Sequence, residues 1–171
     1  MHTRIHTGAD VILTDIACQL DLCAKNIAAN GEIIKKKGGK ATVAELDWTK
    51  PLPEGILEAQ PFDVILCSDV LSHVVVSEME AEFLKTLDNL CGQHTVVLHV
   101  YEPRLELIIN EYGAGLLWHS ELDIIKSAKN IFEVVDQVDN VIPDTYRLHL
   151  LCKDASKLGA FERFKRVPLT L

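Results

Sequence analysis

The sequence predicts an open α/β fold, a doubly wound and mostly parallel sheet finished by a C-terminal antiparallel hairpin. Three observations predict it. Short apolar runs alternate with helical patterns through the first two thirds of the chain, which implies parallel strands joined by right-handed crossovers. Some of those runs are apolar on both faces, as suits strands covered from both sides. The last third changes character and holds two β-rich runs with turn residues between them.

The elements follow in order. Asp10 to Thr14 is a short apolar run, read as a strand, with Asp15 at its end. A helical pattern starts next, with Ile16, Leu20, Cys23, Ala24, Ile27 and Ala28 on one face. Asn30-Gly31 supplies its stop. The run Lys35-Lys36-Lys37-Gly38-Gly39-Lys40 reads as a solvated loop. Thr42 to Leu46 is a second strand, ending at Asp47-Trp48, and Pro51 and Pro53 mark the loop after it. Phe62 to Cys67 is a buried-type strand. Ser77-Glu78-Met79-Glu80 has the form of a capping box, opening a helix through Phe83, Leu84, Leu87 and Leu90 that ends near Gly92. Thr95 to Val100 is another buried-type strand. Pro103 suits the first turn of a helix carrying Leu105, Ile108, Ile109 and Tyr112, closed by Gly113 and Gly115. Ile131 to Val135 and Tyr146 to Leu151 form the antiparallel pair, with Asp139-Asn140 and Pro143-Asp144 as turn residues.

Composition bounds the rest. A chain of 171 residues is the size of one domain, residues 1–171, with one hydrophobic core. Hydrophobic residues at 48% and charged residues at 25% argue against disorder. Against 25 Asp and Glu there are 17 Lys and Arg, a net charge of -8. That balance gives no overall basic field for nucleic acid or an anionic membrane, and neither is expected as a partner. No apolar run reaches the roughly 18 to 20 residues that cross a bilayer, and residues 1–10 show no apolar signal region. The five cysteines are an odd count and read as reduced thiols of a cytoplasmic protein, with a nuclear location also open.

Ligands of open α/β sheets bind beyond the carboxyl ends of the strands. That rule directs attention to Asp15, Asp47-Trp48, Ser68-Asp69 and Tyr101-Glu102. Asp15 can accept two hydrogen bonds from a ribose diol, or it can cap the helix that follows. Trp48 can wall a purine slot with Asp47 accepting from the exocyclic amine, or it can plug the end of the sheet.

Other signals carry less. His2-Thr3-Arg4-Ile5-His6-Thr7-Gly8 looks like the closing half of a zinc finger, but no cysteine pair precedes it, so no metal site is expected. Cys18, Cys23 and Cys67 read as ordinary buried small residues. No Gly-x-Ser-x-Gly, His-Glu-x-x-His or phosphate-loop motif is present.

Taken in order, the pieces resemble one family. Gly8 to Asp15 is similar to the second-strand motif of seven-β-strand methyltransferases that use S-adenosylmethionine, and Asn26-Ile27-Ala28-Ala29-Asn30 to the end of their next helix. Glu45-Leu46-Asp47-Trp48 and Pro61 to Val70 resemble the third- and fourth-strand motifs of the methyltransferase-like protein-lysine methyltransferases. The resemblance covers roughly Gly8 to Arg104 and implies a Rossmann-like sheet. It implies that Asp15 holds the cofactor ribose, that Trp48 packs at the adenine with Asp47 nearby, and that Ser68 lies beside the sulfonium arm. Asp69 would begin the Asp-x-x-Tyr motif that meets the target lysine. The implied protein is a monomer acting on a protein substrate.

Two departures stand against it. Ser72 occupies the place of the family's aromatic residue, with His73 next to it. The family's first strand and Glu-x-Gly-x-Gly turn have no counterpart before Gly8, so the chain is expected to be an N-terminally truncated form. A catalytically inactive module that binds protein partners is therefore the alternative reading. A nucleotide-dependent oxidoreductase is a third, since a strand-end Asp also suits NAD.

Overall fold

A computed structural model describes residues 8–102, 105–110, 113–118, 121–138, 146–156 and 166–168. The chain divides into two compact units, Met1–Ala59 and Gln60–Leu171. The His2–Thr7 segment lies outside the described residues, as do Pro103, Tyr112 and the turn residues Asp139, Asn140, Pro143 and Asp144.

The first unit is a strand–helix–strand crossover. Strand β1 (Asp10–Asp15) pairs in parallel with β2 (Lys40–Glu45), in register from Asp10 opposite Lys40 to Asp15 opposite Glu45. Helix α1 (Leu20–Lys36) joins them after a 3-10 turn at Ala17–Gln19. The helix thus begins four residues later than its apolar pattern, and it runs through Asn30-Gly31 instead of stopping there. A mid-helix glycine costs only about 1 kcal/mol, and Ile33 and Ile34 carry the pattern onward. The stop is Gly38, whose positive φ of 74° closes the helix. Its N–H donates to the Lys35 carbonyl and the Gly39 N–H to the Ile34 carbonyl, the paired bonds of a Schellman end. The lysine run is therefore the last turn of α1 and the first residue of β2, not a loop. Its cations lie at the negative end of the helix dipole.

Cys18 is exposed and Cys23 half-buried, contrary to the expectation that both are buried. The late helix start leaves Cys18 in the 3-10 turn, off the apolar face. A short helix α2 (Glu54–Glu58) follows the prolines and buries Ile56.

The second unit holds a five-stranded sheet in the order β3-β4-β8-β7-β9. Strand β3 (Val64–Ser68) is parallel to β4 (Val96–Tyr101). Strand β7 (Val134–Val138) and strand β8 (Arg147–Cys152) form the expected antiparallel pair. Strand β8 also pairs antiparallel with β4, and β9 (Arg166–Pro168) lies on β7. The predicted α/β class is present, with parallel pairs β1–β2 and β3–β4 and antiparallel closure. Strands β1 and β3 each keep one edge without a ladder partner among the described residues.

Two expectations fail in this unit. The capping box does not form: Ser77 ends helix α3 (Leu71–Val76), and α4 (Glu80–Leu90) starts after Met79 without a side-chain cap. Glu78 at φ 54° makes the turn between them. The helix expected after Pro103 is instead a hairpin of β5 (Leu105–Asn110) and β6 (Gly113–Trp118), with Asn110 paired to Gly113. The run Leu-Glu-Leu-Ile-Ile satisfies a period of two as well as a helical one, and β-branched residues favour the strand. Helix α5 (Glu121–Ser127) leads into β7.

The core of this unit packs α3 residues Leu71 and Val74 and the strand residues Val97, Leu150 and Leu151, all at or near zero exposure. Cys67 is buried as expected, and burial pushes its thiol up to about 12. Among the described residues no helix is long and apolar enough to cross a membrane.

Candidate functional site

Every residue singled out by sequence falls at the carboxyl end of a parallel strand or just past it. Asp15 is the last residue of β1 and is exposed. Its Oδ1 accepts the N–H of Ile16 at 2.8 Å, and its backbone carbonyl accepts the N–H of Leu46 at 2.9 Å. The 3-10 turn after it has Ile16 at its cap and no side-chain cap bond, so Asp15 does not act as the helix cap. Among the described residues its Oδ2 remains open to a ligand.

Asp47 lies two residues beyond β2, and its turn is built around its carboxylate. Oδ1 accepts both the N–H of Thr49, at 3.0 Å, and its hydroxyl, at 2.6 Å. Oδ2 lies 3.2 Å from the Lys50 ammonium, which also donates to Glu45 Oε1 at 2.8 Å. The Thr49 hydroxyl, then its N–H and Lys50, hold the Asp47 carboxyl below its ordinary range. The Glu45 and Asp47 carboxylates in turn raise Lys50. Trp48 is half-buried between these anchors. Thr49 and Lys50 were not singled out from sequence. The Asp-x-Thr spacing is the available signal, because it favours a side-chain-to-backbone turn.

Ser68 ends β3 opposite Val100, and Asp69 follows it. Asp69 has φ 57°, in the left-handed region. Its N–H donates to the Val100 carbonyl at 2.7 Å, tying the strand end to β4. Helix α3 begins at Leu71, and the fully buried Leu71 and Val74 anchor it. The strand end is thus fixed on two sides while the Asp69 side chain stays exposed. Ser72 is half-buried and His73 exposed in α3. Asp15, Asp47 and Trp48 belong to the first unit, Ser68 and Asp69 to the second. Within the first unit the structure brings Asp15 and the Asp47 turn to the same ends of two adjacent strands.

The first unit offers a strand-end carboxylate and a braced turn bearing an indole, which suit recognition of a nucleoside. The second, taken by itself, offers a carboxylate on a constrained backbone, which suits orientation of a cationic or nascent cationic group. Among the described residues no three His, Cys, Asp or Glu side chains gather as a metal site.

Comparison with known proteins adds to this. A family model described as lysine methyltransferase matches residues 1–111. The PH0226 protein from Pyrococcus horikoshii has a similar fold, with TM-score 0.54 at 12% identity over 84% of this chain and 73% of that one. A TehB-like SAM-dependent methyltransferase from Corynebacterium glutamicum gives TM-score 0.49 at 12% identity, covering 84% of this chain and 68% of that one. An S-adenosylmethionine-dependent methyltransferase from Clostridium acetobutylicum gives 0.48 at 14% identity, covering 87% and 85%.

Proposed function

The chain belongs to the lysine methyltransferase family, and on that premise we propose that it transfers a methyl group from S-adenosylmethionine to a lysine side chain of a protein. The observation that carries the reading is the Asp69 corner: an exposed carboxylate at a parallel strand's carboxyl end, on a backbone held by Val100 and by the root of α3. When bound, the cofactor supplies a methyl group already activated on a sulfonium. What is left to the protein is positioning and charge. A neutral lysine amine would take the methyl by direct displacement: its lone pair forms the C–N bond as the C–S bond breaks, the sulfur leaves as the neutral thioether of S-adenosylhomocysteine, and the positive charge passes from sulfur to nitrogen. Asp69 orients that amine and stabilises the charge.

The residues present fit the cofactor's nucleoside. Asp15 Oδ2 can accept a ribose hydroxyl. The Asp47 carboxylate is engaged by Thr49 and Lys50, so in this reading it braces the turn that offers Trp48 to the adenine. Ser68 would contact the cofactor's sulfonium arm, as the family resemblance implies. The reading includes one further strand with a glycine-rich turn, for which β1 keeps an edge without a ladder partner among the described residues. For the chain by itself, titration with S-adenosylhomocysteine should give a dissociation constant weaker than about 1 μM, or -8 kcal/mol. The proposal extends to a monomer in the cytoplasm or nucleus with a protein substrate and no nucleic acid or membrane partner. The acidic balance of 25 to 17 supports that.

The test is tritiated methyl incorporation into protein extract, in a form of the protein that carries the further strand. Asp69→Asn should lower transfer roughly 100- to 1000-fold, about 2.7–4 kcal/mol of barrier, with cofactor affinity unchanged. Ser72→Tyr should raise it by supplying a ring that attracts a cation by about 0.5–2 kcal/mol. If neither variant moves the rate, the corner does no chemistry and the inactive binding module takes its place.

A further inference from the structure

The second unit buries two histidines that the methyl-transfer reading does not use. His99 on β4 and His149 on β8 stand directly opposite each other in the antiparallel register. They are 1% and 0% exposed, and among the described residues none of their four ring nitrogens has a hydrogen-bond partner. Tyr101 covers both, with ring centroids 5.5 Å from His99 and 5.6 Å from His149, stacked on the latter at 15°. We propose that this pair is an acid-sensitive latch on the β4–β8 seam, which holds while both imidazoles are neutral and releases when either takes up a proton.

The surroundings of the pair carry the argument. Register partners in a sheet share a face. On β3, Cys67 lies opposite His99, and burial keeps its thiol protonated at up to about 12. On β7, Gln137 lies opposite His149 and is uncharged. One step along the same face, Tyr101 and Arg147 oppose each other. No carboxylate occupies a register position beside the pair among the described residues. A proton added to either ring would therefore find no carboxylate at a neighbouring register position among the described residues, and it would add to the positive charge of Arg147. A neutral ring tolerates the site at the cost of unmet hydrogen bonds; a charged one is far more costly there. Burial first, and then the charge of His149, lower His99 to about 3. Burial, and then Arg147, lower His149 to about 4.

The sign follows from linkage. Both folded values lie below the ordinary 6.5 of an imidazole. The unfolded chain binds protons below 6.5 that the folded chain refuses. The stability held by the neutral pair is complete above pH 6.5. It drains as pH falls toward 4, at about tenfold in the unfolding constant per pH unit for each histidine. Release would also reach the Asp69 corner, because Asp69 hangs from the carbonyl of Val100, the residue after His99. The latch itself does not depend on the methyl-transfer reading.

Urea unfolding of the intact chain, followed by circular dichroism at pH 7.5 and pH 5.0, tests it. The pair should raise the unfolding constant roughly 1000-fold between those pH values, and each histidine about 30-fold. His99→Leu and His149→Leu should each remove about 30-fold of that rise, and the double variant both shares. Wild-type pH dependence in both single variants would overturn the proposal. Histidine ring signals of the folded wild type, followed by NMR over the same range, give a test that needs no variant. Two sets should stay unshifted between pH 7.5 and pH 5.0. Titration of all seven histidines near the ordinary value in the folded protein would overturn the latch.

Discussion

The two units place their apolar side chains differently. In the first, Ile56 is the one buried residue among those described, and α1 leaves Leu22 57% and Ile33 47% exposed. In the second, residues from α3, α4, α5 and four strands of the sheet are buried among those described. Both are built from strand–helix units of similar composition, so the pattern that predicts an element does not by itself predict a core. Burying a Leu or Ile side chain stabilises by about 1.5–3 kcal/mol, and the first unit realises little of that. The residues proposed to meet the nucleoside thus stand on a frame held mainly by its ladder and helix bonds. Asp69 stands on a frame held by packing.

Thiol chemistry should show the contrast most sharply. At pH 8 a thiol raised to about 12, as Cys67 and Cys91 are, has about one ten-thousandth of its population as thiolate. Iodoacetamide should therefore modify the exposed Cys18 at least about 1000-fold faster than Cys67 or Cys91 in the native protein, as read by peptide mass spectrometry. Comparable rates would erase the contrast.

Truncation of leucines comes next. Leu150→Ala, at a fully buried position of β8, should cost about 2–5 kcal/mol in urea unfolding. Leu22→Ala should stay within about 0.5 kcal/mol, as surface changes do. A large loss at Leu22 would mean that α1 is covered in solution.

The strand-end acids give a third comparison, in a form of the protein extended by the strand proposed above. Asp15→Ala should weaken S-adenosylhomocysteine binding by roughly 10- to 150-fold, since a hydrogen bond to a charged group contributes about 1.5–3 kcal/mol. Cys18→Ala should leave it unchanged. Equal losses would show that Asp15 acts through folding. The smallest effect is expected at the end of α1. Gly38→Ala has open space around its new methyl but keeps a φ of 74°, so the loss should be about 1 kcal/mol and conformational in origin.

What was legible in the sequence follows the same physics. The buried-type runs Phe62–Cys67 and Thr95–Val100 name their strands, Val64–Ser68 and Val96–Tyr101, within a residue or two. The strand-end acids were legible because the carboxyl ends of parallel strands are where such folds bind. Three things were not. Leu105–Asn110 satisfies two periods at once, and pairing with Gly113–Trp118 decided it. Ser77 and Glu80 have the spacing of a cap, but α3, absent from the sequence reading, already uses Ser77 as its end. The Thr49 and Lys50 bonds to Asp47 depend on a turn whose shape no pattern of hydrophobicity encodes.

The left-handed backbone at Asp69 also bears on how this position can vary through evolution. At a φ of 57° a side chain beyond Gly, Asn and Asp is strained, by roughly 1–2 kcal/mol. Of those three only Asp is negatively charged. Glutamate, the usual neutral-drift replacement for aspartate, is thus disfavoured by the main chain before any question of reach arises. Relatives that keep this turn are expected to hold Asp where the charge is used, and to drift to Asn or Gly where it is not. The residue found here would then separate working members of a lineage from retired ones.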